Sequence, residues 1–305
     1  MGKRIWITIM IGCLLAGLWG HPAGAWADSA LKSAPLSSGT TKNGMVRVRL
    51  SSLGNPATLN LTVQGSYSVN GQSSCALPNG TKATVHFNAS TGQLTLSYGG
   101  STTNMGSSFS LRRHEAAGPN GIKIAQGRVP ANLYPGDLQF TVRNNNGVNT
   151  LYVIASVYIE DYLYGVLPYE MGNSSGLEAL KAQAVAARTY TMRAMNASAS
   201  TLYDVVDTTS DQVYSGTPSG NANCVIAVDE TKGIALKNGS AFTATYYTAS
   251  NGGQTESIKN AWGTTGNPYL TIKDDPYDLA NPESRKVSFS VTASGSQKMP
   301  PWAAC

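Results

Sequence analysis

The sequence predicts an α+β protein, a mainly antiparallel β-sheet packed against one long Ala-rich helix, with an N-terminal accessory β module. Three observations lead there. Short runs with a two-residue apolar period recur from Val46 onward, separated by Gly, Pro and Asn. One segment near the middle, LEALKAQAVAARTYTMRAMNA, instead repeats its apolar residues at three- and four-residue steps. Charged residues make up only 13% of the chain, while Gly, Ser, Thr and Asn are abundant, a balance that suits a β-rich exported protein better than a helical cytosolic one.

In chain order, Lys3-Arg4, the apolar run from Ile5 to Trp19 and the small residues of Ala25-Trp26-Ala27 read as a signal peptide, residues 1–27, cleaved after Ala27. The run is nearly long enough to stay as an anchor, and Met10-Ile11-Gly12-Cys13 is a poor approximation to a lipoprotein box. The mature chain is expected outside the cytoplasmic membrane. Residues 28–44, poor in apolar side chains, form a linker. An N-terminal β module follows over 45–118. It is built from alternating Val46, Val48 and Leu50 and from LNLTVQGSYSV, ATVHF and QLTLSY. GIKIAQ, LQFTVRN and TLYVIASV continue the pattern into a second domain, 119–290, so a sheet can run across that division. The tail, 291–305, fits neither a strand nor a capped helix.

The central helix starts near Gly176, because Ser175 and Glu178 have the spacing of a capping box. Leu177, Leu180, Ala184, Ala187 and Thr191 form its buried stripe, and Lys181 and Arg188 share one flank. Glu170 stands just before it, in the turn of YLYGVLPYEMGNSSG. IALKNG and FTATYYTA then return to strands, and Asn251-Gly252-Gly253 makes a turn.

Several chemistries are excluded by what is missing. Three cysteines remain after export, Cys75, Cys224 and Cys305, so they cannot all pair internally; a Cys75–Cys224 bridge and two free thiols are both open. Only His86 and His114 remain, neither in a motif that would serve a Ser or Cys nucleophile or supply metal ligands at close spacing. No metal and no cofactor is expected. A formal charge of +5 suits an anionic wall or membrane surface as well as an ordinary solvated one, and no Lys/Arg block marks a nucleic-acid partner.

The stretch from Ile159 to Tyr190, together with DTTSDQVYSG at 207–216 and YYTASNGGQTES, WGTTGNPYL and DDPYD between Tyr246 and Asp278, resembles the SpoIID/LytB family of bacterial cell-wall proteins. The resemblance implies a secreted peptidoglycan lytic transglycosylase, with Glu170 as catalytic acid and glycan strands as substrate. Its LytB side implies a rival role, a non-catalytic wall-binding protein that stimulates an N-acetylmuramoyl-L-alanine amidase. Some members bind zinc through a Cys or His in the segment matching DTTSDQVYSG; this chain has Ser210 and Asp211 there.

Candidate substrate-binding residues follow from that expectation. Lys181 and Arg188 hold the acetamido and lactyl groups of the sugar, or else sit in buried ion pairs. Gln212 and Tyr214 are candidates for lining the cleft. Tyr247, Thr248, Ser250, Gly252 and Gly253 offer a phenol, hydroxyls and backbone N–H groups, with a simple hairpin turn as the alternative. Family members often show His where Tyr247 stands, and a phenol does not readily exchange protons at neutral pH. Trp262 and Tyr269 can stack on a sugar ring or serve as core.

Overall fold

The computed structural model describes residues 44–114, 120–198 and 200–281. The expected signal peptide, all of the linker but Gly44, the 291–305 tail, Cys13 and Cys305 lie outside them. The described residues fall into two compact units that part between Tyr246 and Tyr247.

The first unit begins with eleven strands: β1 (Met45–Arg49), β2 (Thr58–Gln64), β3 (Tyr67–Val69), β4 (Ala76–Leu77), β5 (Lys82–Asn88), β6 (Gln93–Tyr98), β7 (Ser101–Gly106), β8 (Ser108–Arg113), β9 (Gly121–Ile124), β10 (Asp137–Asn145) and β11 (Val148–Tyr158). Helices α1 (Ile159–Glu170) and α2 (Leu177–Ala197), strand β12 (Val205–Val206), helix α3 (Ala222–Glu230) and the short strands β13 (Lys237–Asn238) and β14 (Ala241–Phe242) follow. The order β7-β6-β5-β2-β9 makes a five-stranded sheet, and β12-β1-β11-β10-β8-β3-β4 a seven-stranded one. Every pairing in both is antiparallel except β1 with β12. The fold is α+β.

Period-two patterning explains the strands. In β5, Ala83, Val85 and Phe87 point inward while Lys82, Thr84, His86 and Asn88 point out, and β2 and β6 repeat this with Leu59, Leu61, Val63, Leu94 and Leu96. These inner faces join Val46, Val48, Leu138, Phe140 and residues of α1 to α3 in one core. Both sheets therefore cross the 118/119 position at which the sequence divides the chain. β8 pairs with β10, and β2 with β9, because each β-run had one apolar face that only the other half could complete.

Three local expectations are corrected. The segment holding Glu170 is not a turn: strand β11 ends at Tyr158, and α1 runs through to Glu170 itself. Ile159, Tyr162, Leu163, Val166 and Leu167, spaced three and four apart, form its buried face, and Glu160 and Asp161 occupy its first turn, where the helix dipole favours acids. Helix α2 begins at Leu177 as its N-terminus requires, but the capping box does not form. Gly176 is the N-cap, the Ser175 hydroxyl donates to Met171 O (3.0 Å), and Glu178 pairs with Lys181. Leu180, Ala184, Ala187 and Thr191 are fully buried as the stripe, whereas Leu177 at the first turn is exposed. Finally, IALKNG and FTATYYTA give only the two-residue ladder β13–β14. The chain beyond packs on α2 instead, with Thr245 Oγ1 donating to Ala186 O (2.7 Å) and Leu236 N to Thr189 Oγ1 (2.9 Å).

Arg188, 1% exposed, joins the helices. Its Nη2 meets Glu160 Oε2 at 2.6 Å, its Nε donates to both carboxylate oxygens at 3.1 Å, and the guanidinium reaches Val228 O (3.3 Å) and Ile234 O (3.1 Å). Glu160 Oε1 also accepts from Gly233 N (3.1 Å). One ion pair thus connects the start of α1, the middle of α2, the end of α3 and the turn after it. Removing one partner strands a buried charge, so Arg188→Leu is expected to cost about 3–5 kcal/mol in urea unfolding, and Glu160→Leu/Arg188→Leu to recover most of it.

Asp161 is 1% exposed, and its Oδ2 has no hydrogen-bond partner among the described residues. Burial pushes its pKa up to about 6, against the opposing pull of Arg113 and Lys232. Because the folded protein then holds this proton more tightly than the unfolded chain, Asp161 costs nothing below about pH 4. It destabilises progressively as pH rises toward 6, reaching roughly 3 kcal/mol. The stability of Asp161→Asn relative to the unsubstituted protein, followed by thermal melts, is expected to increase from pH 4 to pH 6 and then level off.

Candidate functional site

Glu170 closes helix α1, half-buried, and its Oε1 accepts from the backbone N–H of Val213 at 2.6 Å. Val213 belongs to the segment 207–216, which is fastened at nearly every step. Asp207, fully buried, accepts from Ser51 Oγ (3.0 Å) and Ser52 N (2.9 Å). Asp211 accepts from Tyr190 OH (2.6 Å) and Val206 N (2.8 Å). Beyond it, Thr217 exchanges backbone hydrogen bonds with Leu133. The segment behaves as a strap drawn across the end of α1, so the N–H that meets Glu170 is fixed from both sides.

On the other side, Asn132, 5% exposed, donates from Nδ2 to Ser215 O (2.8 Å) and to Tyr169 OH (2.5 Å). The Tyr169 phenol oxygen accepts this bond and keeps its own O–H to donate. Neither Asn132 nor the Val213 N–H was foreseen. Asn132 lies in RVPANLYPG, which carries no recognisable pattern, and a backbone group leaves no signature in side-chain identity. Among the apolar and aromatic residues next to Glu170 in sequence, Leu167 is fully buried, Tyr169 is half-buried, Met171 is exposed, and Tyr164 donates to Asp229.

The proposed substrate-binding side chains separate into three sets. Arg188 is committed to Glu160 and is not at a surface, which selects the buried-ion-pair alternative. Gln212 and Tyr214 are fully buried rather than cleft-lining. Gln212 Oε1 accepts from Thr191 Oγ1 (2.8 Å) and Tyr162 OH (3.3 Å), while the Tyr214 ring packs between Tyr134 and Tyr162. Burial raises the Tyr214 phenol well above its ordinary range, so it remains protonated. Their sequence neighbours are polar because the strap needs internal partners, not because it faces a ligand. Lys181 is at the surface, bridging Glu178 (2.7 Å) and Glu230 (2.6 Å); the hydrogen bond it donates to Glu178 raises its pKa, followed by the one it donates to Glu230.

Tyr247, Thr248, Ser250, Gly252 and Gly253 belong to the second unit, together with helices α4 (Ile258–Trp262) and α5 (Pro276–Ala280). Here the backbone N–H of Gly252 is directed at a carboxylate of the chain itself: Asp278 Oδ2 accepts from Ser250 Oγ (2.8 Å), Asn251 N (2.7 Å) and Gly252 N (2.8 Å). Gly253 N donates to Asn251 Oδ1 (2.8 Å) and Thr248 Oγ1 to Ser250 O (2.9 Å). The DDPYD motif therefore folds back on the glycine turn and fills the role assigned to a sugar. Tyr247 is half-buried, and Trp262 and Tyr269 are 43% and 37% exposed. Cys75 and Cys224 are free thiols; Cys224 is buried on α3.

Close approach of α1 to the strap depends on Gly165. A Cβ there would lie 2.5 Å from Tyr214 Cε2 and 2.7 Å from Gly216 O, and Gly216, at φ +74°, has its own hydrogen facing Leu133 O. Helix and strap touch through backbone, which brings Val213 within reach of Glu170. Gly165→Ala is expected to destabilise by about 1–3 kcal/mol and to lower any activity that needs Glu170 by more than the fraction unfolded, as read by comparing melting curves with turnover.

Residues 148–237 match the family SpoIID, described as Stage II sporulation protein. The chain is 45% identical over 139 residues to an uncharacterized protein of Brachyspira hyodysenteriae, covering 45% of this chain and 36% of that one. It is 49% identical over 117 residues to the amidase enhancer of Bacillus subtilis, covering 38% of this chain and 15% of the enhancer. To the stage II sporulation protein D of the same organism it is 32% identical over 164 residues, covering 48% of this chain and 47% of that protein. The chain thus spans less than half the length of each of these relatives. The matched span contains α1, the strap and α2, the elements that build the site around Glu170, and it is over this span that the chain is similar to the SpoIID family.

Proposed function

We propose that the protein is a peptidoglycan lytic transglycosylase that cleaves the bond between N-acetylmuramic acid and N-acetylglucosamine, acting outside the cytoplasmic membrane in wall remodelling or sporulation. The observation that carries this reading is the setting of Glu170: a half-buried carboxylate at the end of a rigid helix, oriented by the Val213 N–H. Other acids of these elements are engaged elsewhere: Asp207 accepts from Ser51 and Ser52, Asp211 from Tyr190 and Val206, and Glu160, at the opposite end of α1, pairs with Arg188.

A single acid is enough for this chemistry. Glu170 in its protonated form gives its proton to the glycosidic oxygen as the bond to C1 of N-acetylmuramic acid breaks. The C6 hydroxyl of the same sugar then attacks C1, and the Glu170 carboxylate takes up that hydroxyl proton, closing a 1,6-anhydro ring and restoring the acid. No water and no second carboxylate enters. In this reading the Tyr169 hydroxyl, whose oxygen accepts from Asn132, donates to an oxygen of the bound sugar.

A second reading has its own support, the 49% identity with an amidase enhancer, and would make the chain a wall-binding stimulator of an amidase. The two separate in one experiment. Purified glycan strands, with and without stem peptides, are incubated with the protein and with Glu170→Gln and analysed by mass spectrometry. Fragments ending in 1,6-anhydro-N-acetylmuramic acid are expected, with a rate lowered about 10²–10⁴-fold by Glu170→Gln. Reducing-end products would show hydrolysis instead. No cleavage by either form, with equal stimulation of an added amidase by both, would establish the enhancer role.

A further inference from the structure

The outer face of the five-stranded sheet carries an unusual charge. Residues 45–136 contain seven Lys and Arg against one acid, Glu115, a net +6 in a chain whose total is +5. In the seven-stranded sheet three of the four arginines among these residues are partnered, Arg113 being the exception. Arg47 pairs with Asp204, Arg112 with Asp137 at 3.5 Å, and Arg49 stacks over Tyr152, 3.6 Å from its ring centroid. In the five-stranded sheet the excess is not absorbed. Lys82 and Lys123 have no ion-pair or hydrogen-bond partner among the described residues. The register sets them on either side of Thr62, two strands apart, or roughly 10 Å.

The remainder of that face is neutral and dense in hydroxyls and amides. Asn60, Thr84, Ser97 and Thr102 form one cross-strand row, with Thr84 Oγ1 donating to Asn60 Oδ1 (3.2 Å) and Ser97 Oγ 2.8 Å from Thr102 Oγ1. His86 is the other ionisable group facing outward, and the described strands of this sheet contain no Asp or Glu. Exposed sheet faces are ordinarily stabilised by pairing opposite charges across strands, and this one does without that. Side chains that both donate and accept match sugar hydroxyls and acetamido groups, while two unpaired ammonium groups match carboxylates.

We propose that this face is a docking surface, separate from Glu170, for peptidoglycan strands whose stem peptides carry free carboxylates, with Lys82 and Lys123 meeting those carboxylates. The surface would hold the wall while the site around Glu170 works on a strand, and the inference rests on the cell-wall substrate proposed above. It is tested by binding alone, in the full chain carrying Glu170→Gln so that nothing is cleaved. Co-sedimentation is measured with insoluble peptidoglycan freed of attached anionic polymers, with the same material after an amidase has removed its stem peptides, and with walls still bearing polyol phosphate.

Adding Lys82→Glu and Lys123→Glu is expected to weaken binding to intact peptidoglycan about tenfold, and Lys82→Gln with Lys123→Gln about threefold. Arg143→Glu with Lys237→Glu, the same charge change at exposed positions elsewhere, is expected to leave it within about twofold. Removing stem peptides is expected to abolish the difference between lysine and glutamate forms. Equal loss in the Arg143/Lys237 control, no loss in either lysine pair, or a loss seen only on walls bearing polyol phosphate would overturn the proposal. Circular dichroism of each variant identifies any that is unfolded, and the glutamine pair then decides. Anhydro products without this binding effect, or this binding effect without anhydro products, separate the failure of one reading from the failure of the other.

Discussion

The ion pair between Arg188 and Glu160 holds the first unit's helical layer together, and most of what surrounds Glu170 depends on it. Its desolvation is costly, and the guanidinium offsets that cost by also satisfying carbonyls at the end of α3 and in the following turn. With Glu160 anchored at its first turn, α1 has one available direction. Twelve residues long, it then delivers Glu170 at the far end, against the strap. A charge pair at one end of a helix thereby fixes the position of the Glu170 carboxylate at the other, about 15 Å of helix away.

The strap supplies the second constraint. Its polar residues, Asp207, Asp211 and Gln212, look inward to β1's turn, to Tyr190 and to α2, and what it offers the site is main chain: the Val213 N–H toward Glu170 and the Ser215 carbonyl toward Asn132. A site made in this way is insensitive to side-chain exchange along the strap surface and very sensitive to its backbone path. That explains why glycine appears where helix and strap meet.

Much of this was legible in the sequence, and the exceptions have physical causes. Strands β2, β5, β6 and β10 were readable because each has one dry face and one wet face, and the period of two survives any tertiary arrangement. Helix α2 was readable from its alanines, although Leu177 was not separable from the stripe by spacing alone. Helix α1 was hidden by Gly165, Pro168 and three tyrosines, residues that argue against a helix locally, though Ile159, Tyr162, Leu163, Val166 and Leu167 carried its period. Gln212 and Tyr214 were misplaced because a polar residue in a motif looks the same whether its partner is a ligand or the protein's own Thr191. That a sheet can cross the 118/119 division was legible in the alternation continuing through GIKIAQ and LQFTVRN, but the pairing partners were not, since nothing local specifies which distant strand completes a β-run.

Strand β1 has a consequence for how the molecule comes into being. It lies between β11 and β12, with Met45 opposite Tyr158 and Val48 opposite Val205. The first described strand therefore has no partner until more than a hundred further residues have emerged, and its second edge waits for the residues after α2. Pairing over such separations is slow because the entropy of closing the loop precedes any reward. A chain emerging from its N-terminus would stay open for most of its synthesis, with Val46 and Val48 of β1 in waiting, and would acquire the setting of Glu170 only once the residues after α2 had followed.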